Sequence, residues 1–245
     1  MDSNIFIIWP NTLFEDIMIP NNTTKILIIE HPLFFTTYNY HKMKLVLHRA
    51  SMKFYQDWLV TEFPHMPIKY IEFHKYEHFA DKHNKIGKTR FTFYDPHDHV
   101  IRQEYKNSTI NESPGFLMNT ENIEYYYQNH KTKNQRHVHF YNYHKDIISD
   151  EYPKLAKYLT RNYDEDNRNR FPDSYKEHIK DHDPDQYIQD AIKYVNKHFA
   201  HNPGNPKLIY SEVSFKSARK IFKDFVKNKL IHFGDYQDAV RSDVK

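Results

Sequence analysis

The groups in this chain best placed to do chemistry gather where a strand runs into a helix. Glu30, His31 and His41 flank the turn inside the stretch Lys25 to Trp58, KILIIEHPLFFTTYNYHKMKLVLHRASMKFYQDW. A carboxylate and an imidazole at the carboxyl end of a strand sit where open α/β sheets hold their ligands. Their plainer role is to polarise a loop and cap a helix. A second set is His137, His139 and His144. Two His at i and i+2 on a strand face one side and suit a metal. No carboxylate stands at a third-ligand spacing, however, and 18 His in the chain make chance pairs expected, so no metal site is assigned.

Other charged clusters have plain readings. Asp95-Pro96-His97-Asp98-His99 reads as a helix N-terminus, Asp95 capping and Pro96 in the first turn, with its acids favoured by the helix dipole. Asp181-His182-Asp183 reads as a solvated cap. Lys216, Lys220, Lys223 and Lys227 form a stripe that could meet phosphates, although such stripes are usually solvated helix faces. Tyr and Phe interleaved with Lys and His from 130 to 170 could stack on bases.

What is missing narrows the function further. There is no G-x-G-x-x-G and no G-x-x-x-x-G-K-[ST], and only 4 Gly, which disfavours a glycine loop cradling phosphates. With no Cys, disulfides, thiolate metal sites and a cysteine nucleophile are excluded, which fits a reducing compartment. No Ser stands in a nucleophile elbow. No apolar run approaches the roughly 20 residues that span a bilayer, and the N-terminus does not read as a signal peptide. The expectation is an intracellular, cytoplasmic protein without membrane contact. A net charge of +3 is mildly basic, short of the stripe that announces nucleic-acid binding by itself.

A chain of 245 residues allows one large domain or two small ones, and with 39% hydrophobic and 16% aromatic residues it can build a core. Strands are predicted at Asn4–Trp9, Lys25–Ile29, Ile68–Phe73 and Arg90–Tyr94. A helix follows the second strand, with Met43, Leu47, Ala50, Phe54 and Trp58 facing the core and Lys42, Arg49 and Lys53 on another face. Strand–helix alternation implies a parallel sheet with covering helices. Asn119 to Asn129 reads as helical. Asp183-Pro184-Asp185-Gln186 has the form of a capping box for a helix carrying Ile188, Ile192, Val195 and Phe199. Ser214 caps a last helix with Phe215, Ala218, Phe222 and Phe225 inward.

Several strings in one register carry a family resemblance. Glu30-His31-Pro32 with Phe34-Phe35, His41-Lys42-x-Lys44-Leu45 and His48-Arg49-Ala50-Ser51-Met52 begin it. Ser113-Pro114-Gly115-Phe116-Leu117 with Glu121, then Asp164-Glu165-Asp166-Asn167-Arg168, then Phe233-Gly234-Asp235-Tyr236-Gln237-Asp238-Ala239 continue it. The chain resembles the deoxyribodipyrimidine photolyase-related proteins, the iron–sulfur bacterial cryptochrome/photolyase group. It departs from the family's pattern at Arg161, near a place where the family usually has Trp. The resemblance implies a Rossmann-like α/β antenna-type domain over 1–130, an interdomain connector over 131–182, and the start of a helical FAD-binding domain over 183–245.

Whole members of that group use reduced FAD to pass an electron to a UV photoproduct in DNA, with a lumazine-type antenna in the N-terminal domain. An iron–sulfur cluster cannot form on this chain, which has no Cys. An antenna is expected against Trp9, Pro10, Asn11, Glu30, Phe34 and Phe35, where aromatic rings at the sheet's carboxyl edge can sandwich a flat ring. Tyr236 and Gln237 are expected at the entrance of the flavin site, Tyr236 reaching a flavin phosphate. Resemblance covers nearly all of this chain but about the first half of the family's length. The flavin site is therefore expected to be incomplete and the chain inactive in repair by itself. Two readings stand beside this one: a chromophore-binding or interaction half that pairs with a separate C-terminal chain or with itself, and an unrelated α/β nucleotide-binding module.

Overall fold

A computed structural model describes residues 4–86, 90–130, 137–156, 183–207, 212–231 and 233. Its contacts divide the chain into two units, Met1–Asn111 with Pro172–Phe233, and Glu112–Phe171 with Gly234–Lys245. Among the described residues no helix is long and apolar enough to cross a membrane.

The first unit is built on a parallel sheet of β1 (Asn4–Ile8), β2 (Thr23–Ile29), β3 (Ile68–Ile71), β4 (Arg90–Tyr94) and β5 (Thr109–Asn111), in the order β3-β2-β1-β4-β5. The α/β class and the four expected strands are therefore present, and β5 joins them. Its three residues carry no apolar alternation, so nothing in their sequence marks a strand. Alternation sorts the strand side chains onto two faces. Phe6, Ile8, Ile26 and Ile28 enter one core, while Ile5, Ile7, Trp9, Leu27 and Ile29 enter the other.

Right-handed crossovers put helices on opposite faces when the chain moves outward in opposite directions. From β2 to β3 the crossover is α2 (Lys42–Glu62), preceded by the short α1 (Pro32–Phe35). The other face carries α3 (Tyr76–Ile86) and α4 (His99–Glu104). In α2 the fully buried stripe is Leu45, Val46, Ala50, Met52, Tyr55 and Leu59. Met43, Phe54 and Trp58 are half-buried and Leu47 is exposed, so the helix is turned from the expected register. The cause is a second layer. α8 (Gln186–His198) packs along α2, which must satisfy the sheet on one side and a helix on the other.

Two helix starts differ from expectation because neighbouring acids compete for the cap. α4 is capped by Asp98, which accepts from Val100 N at 2.8 Å and Ile101 N at 3.2 Å. Asp95 instead accepts from His97 N and from the Arg102 guanidinium, and His97 takes φ 52°, so no helix can begin at Pro96. α8 is capped by Asp185, not Asp183, because Asp185 serves both Ile188 N (2.8 Å) and Val213 N (3.3 Å). After α8, Gly204 has φ 82°, and a Cβ there would lie 1.7 Å from His41 Nε2. Only glycine lets this turn bring the Pro203 carbonyl to Lys42 N at 2.9 Å.

The last described helix, α9 (Phe215–Asn228), is capped by Ser214 as expected. Phe215 packs on Phe54, Tyr55 and Trp58. Ala218 and Phe222, expected inward, are exposed, Phe222 by 65%.

In the second unit, α5 (Thr120–Asn129) and α6 (His137–Glu151) pack through rings, followed by α7 (Pro153–Ala156). Buried Tyr126 stacks on His130 at 4.8 Å and meets Phe140 and Tyr143 at 5.1 Å each. His137 and His139 are helical, not on a strand, so they do not share a side. No cluster of three or more metal-ligating side chains forms among the described residues.

The α2 register generates a direct test with one chemistry at two sites. Leu45→Ala should cost about 2–5 kcal/mol in urea unfolding, and Leu47→Ala only about 0.5 kcal/mol. Equal losses would contradict the described register.

Candidate functional site

The strand order reverses between β1 and β4, and an open α/β sheet presents its ligand crevice beyond the carboxyl ends of such strands. Here those ends are Trp9-Pro10-Asn11 and Asp95-Pro96-His97. Asn11 Nδ2 donates to Pro96 O at 3.0 Å, tying the two together. Asp95 is buried. Burial raises its pKa, but the hydrogen bonds from Arg102 and the His97 amide outweigh this and hold it below the usual carboxylate range. The left-handed His97 beside it is a strained position for a residue other than glycine.

Two polar networks brace this edge, one on each side of the sheet, because successive residues at the end of β2 point oppositely. Glu30 turns toward α2. It is wholly buried and receives four donors: Arg49 Nη1 at 2.5 Å and Tyr70 Oη at 2.7 Å on Oε1, with Phe73 N at 3.1 Å and Tyr194 Oη at 3.2 Å on Oε2. A carboxylate has about four acceptor sites, so all are in use. Arg49 also donates to Glu72 at 2.9 Å and lies over the Tyr194 ring at 3.2 Å. Burial disfavours the Arg49 charge, but Glu30 and its neighbours more than compensate and its pKa is raised. Burial, then Glu30, raises Tyr70 far above its ordinary value. Burial and the adjacent Arg49 cation lower Lys53, whose Nζ sits 3.6 Å over the Tyr70 ring.

His31 turns the other way. Its Nδ1 accepts from Leu33 N at 3.1 Å, capping α1, so its Nε2 carries the proton donated to Glu104 at 2.9 Å. Tyr76 Oη donates to the other Glu104 oxygen and lies 3.0 Å from Tyr105 Oη. Burial raises the Glu104 pKa, but the His31 and Tyr76 bonds prevail and lower it. The buried Trp9 ring is enclosed edge-on by His31 at 5.6 Å, Phe93 at 5.7 Å and Tyr105 at 5.4 Å. Its Nε1 is a buried donor without a hydrogen-bond partner among the described residues.

The expected antenna residues are therefore divided. Trp9 lies with His31 on the α3/α4 side, Glu30 and Phe35 are buried on the α2 side, Phe34 is half-buried between both cores, and Asn11 stands exposed at the crevice. Phe34 and Phe35 lie about 6 Å from His48, which burial and then Lys44 push down to about 4. Tyr236 and Gln237 fall outside the described residues, as does the Asp164–Arg168 string. Sequence reading missed Arg49, Tyr70, Tyr194, Tyr76 and Glu104. A signal existed for Arg49, since Leu45, Arg49 and Met52 recur at four and three.

A family model described as deoxyribodipyrimidine photo-lyase-related protein matches residues 6–209. The chain belongs to that family. It also resembles a protein of Acanthamoeba polyphaga mimivirus named Uncharacterized protein R852, 26% identical over 201 residues that take in 69% of this chain and 95% of that one. The match to the photolyase-related family takes in the sheet from Phe6 on, both polar networks and α8, so the Glu30–Arg49–Tyr194 linkage lies inside the family's region.

Two outcomes follow from the networks. Arg49→Met leaves Glu30 buried without its counter-charge and should cost about 3–5 kcal/mol, part of which Glu30→Gln in the same chain should restore. Glu104 has a folded pKa below its unfolded one, so its stabilisation is present above the unfolded value and lost as pH falls through the folded value. Glu104→Gln should flatten this acid limb of a stability–pH curve measured from neutral pH downward. An unchanged limb would remove Glu104 from the linkage.

Proposed function

We propose that this chain is an antenna-type α/β module of the photolyase-related family, which holds a flat heteroaromatic chromophore at the carboxyl edge of its sheet and does not by itself repair DNA. The observation that carries the reading is Trp9 Nε1, a buried donor with no partner at the end of β1, beside the crevice where the strand order reverses. A buried unpaired donor costs about 1–3 kcal/mol, which a ring nitrogen or carbonyl of a bound chromophore would recover by displacing part of the cover over the wholly buried Trp9 ring. Asn11 and Phe34 would form the rim of such a site, while Glu30 and Phe35 hold the frame behind it. A lumazine-type ring fits this role, and FAD belongs to the same reading only with Tyr236 and Gln237 at a flavin entrance.

Repair requires an electron donor next to a lesion and shielded from water, and the resemblance covers only about the first half of the family's length, short of the helices that would enclose one. DNA would therefore be a partner only of a fuller assembly. The exposed row Ile221, Phe222 and Val226 on α9, continued by Leu230 just beyond it, supports such an assembly, through a complementary helical chain or a second copy.

The purified chain should carry a near-UV band of lumazine type, and Trp9→Phe should weaken its retention by about tenfold. Absence of any chromophore, with no uptake of added lumazine or FAD, would overturn the reading. With added FAD and thymine-dimer DNA under illumination, no dimer loss is expected. Sedimentation alongside should show self-association that Phe222→Asp abolishes, or a monomer that gains a partner chain.

A further inference from the structure

On the α3 side of the sheet, away from the crevice, a cavity of about 460 Å³ opens along β2 and β3. Its floor is apolar: Ile5, Leu27, Ile71 and Phe79. Two basic rows bound it. Lys25 and Lys69 rise from the strands, and His78 and Lys82 stand one turn apart on α3, with His74 and Lys75 at the end where β3 leads into that helix. No carboxylate lines it among the described residues. The nearest acid that pairs with these groups is Glu72, at 3.5 Å from His74 and 3.7 Å from Lys75, and it also bonds Arg49. Among the described residues Lys25, Lys69, His78 and Lys82 have no ion-pair partner.

Protection of an edge strand explains a lysine on β3, which is outermost in the sheet. It does not explain Lys25, which sits half-buried on the inner strand β2 in the same alternation as Leu27 and Ile29. Nor does it explain Lys82 and His78 facing it across an apolar trough. Uncompensated like charges around one hollow repel one another, and an anion between them removes that repulsion. A duplex backbone would offer charge along a ridge and no ring to bury. An open hollow with an apolar floor and a basic rim instead suits a compact ligand with a planar body and an anionic tail, and its volume is that of a small-molecule site.

We propose that this cavity is a second ligand site, taking a phosphorylated aromatic compound of mononucleotide size, its ring on the Leu27–Ile71–Phe79 floor and its phosphates between the strand lysines and the α3 row. The site is independent of the chromophore reading, since none of its residues reaches the β1/β4 crevice.

Calorimetric titration of the full chain with ADP, adenosine and inorganic phosphate tests it. ADP should bind saturably and more weakly as salt is raised, with adenosine and phosphate each at least about tenfold weaker than ADP, because each keeps half of the contacts. Lys69→Glu and Lys82→Glu, both at exposed positions, should each weaken ADP at least about tenfold. Lys216→Glu on α9 should leave ADP binding unchanged, and thermal melts should show all three variants folded. The chromophore spectrum should be the same in the Lys69 and Lys82 variants as in the parent. The proposal is overturned by lack of saturable ADP binding, by binding indifferent to both cavity variants, by phosphate alone binding as well as ADP, or by a single-stranded oligonucleotide that displaces ADP and binds more tightly.

Discussion

A buried charge pair sets the architecture of the first unit. Glu30 lies at the end of β2 with no exposed surface, and Arg49 comes to it from the middle of α2. Removing two charges from water is unfavourable, and the pair persists only if every remaining donor and acceptor is matched. Tyr70 from β3, the Phe73 amide beyond it and Tyr194 from α8 supply those matches. Four separate segments are thereby held at one carboxylate. Slipping α2 by one residue would move Arg49 about 100° around the helix and leave Glu30 unpaired, so the ion pair fixes a register that apolar packing alone tolerates in several forms.

The same strand end serves the opposite face one residue later. His31 links α1, Glu104 of α4 and Tyr76 of α3, so the sheet edge is clamped from above and below by adjacent residues. This division follows from the pleat, in which neighbours point to opposite faces. It leaves the crevice residues Asn11 and His97, and the buried Trp9 behind them, on a frame tied by hydrogen bonds on both faces. A frame of this kind favours ligand binding by keeping the ordering cost of the site within folding instead of within association.

The legible parts of the chain were those set by local pattern. Runs such as Asn4–Ile8 and Arg90–Tyr94 are buried strands because β-branched and aromatic residues crowd into a few positions, and Ser214 or Asn119 are caps because their side chains reach the next turn's amides. Three residues such as Thr109–Asn111 carry too little pattern to read. Where two acids compete, as Asp95 does with Asp98, the outcome depends on Arg102 seven residues away, and a local rule cannot rank them. The pattern puts Arg49 with Lys42 and Lys53 on a face apart from the core stripe, while its spacing from Leu45 and Met52 points inward, and its partner Glu30 stands where a ligand contact is expected. The two residues answer each other, and either alone looks like something else.

Tyr194 lies 164 residues from Glu30 in sequence, and this distance has an energetic consequence. Closing so long a loop carries an entropy that grows only logarithmically with length, so a modest contact set can hold α8 in place. That set is present: Tyr194 on Glu30 and over Arg49, Tyr187 on Asp57 at 2.9 Å, Asn202 on the Tyr40 carbonyl at 2.8 Å, and the buried Ile188, Ala191 and Val195. α8 covers the open side of Arg49, so its docking removes water from the ion pair and strengthens the attraction there. In return the pair gives α8 a specific polar anchor that its apolar stripe lacks. α8 is thus energetically a part of the α/β layer, and the charge pair at the end of β2 is complete only when this helix, 164 residues on at Tyr194, has come back to it.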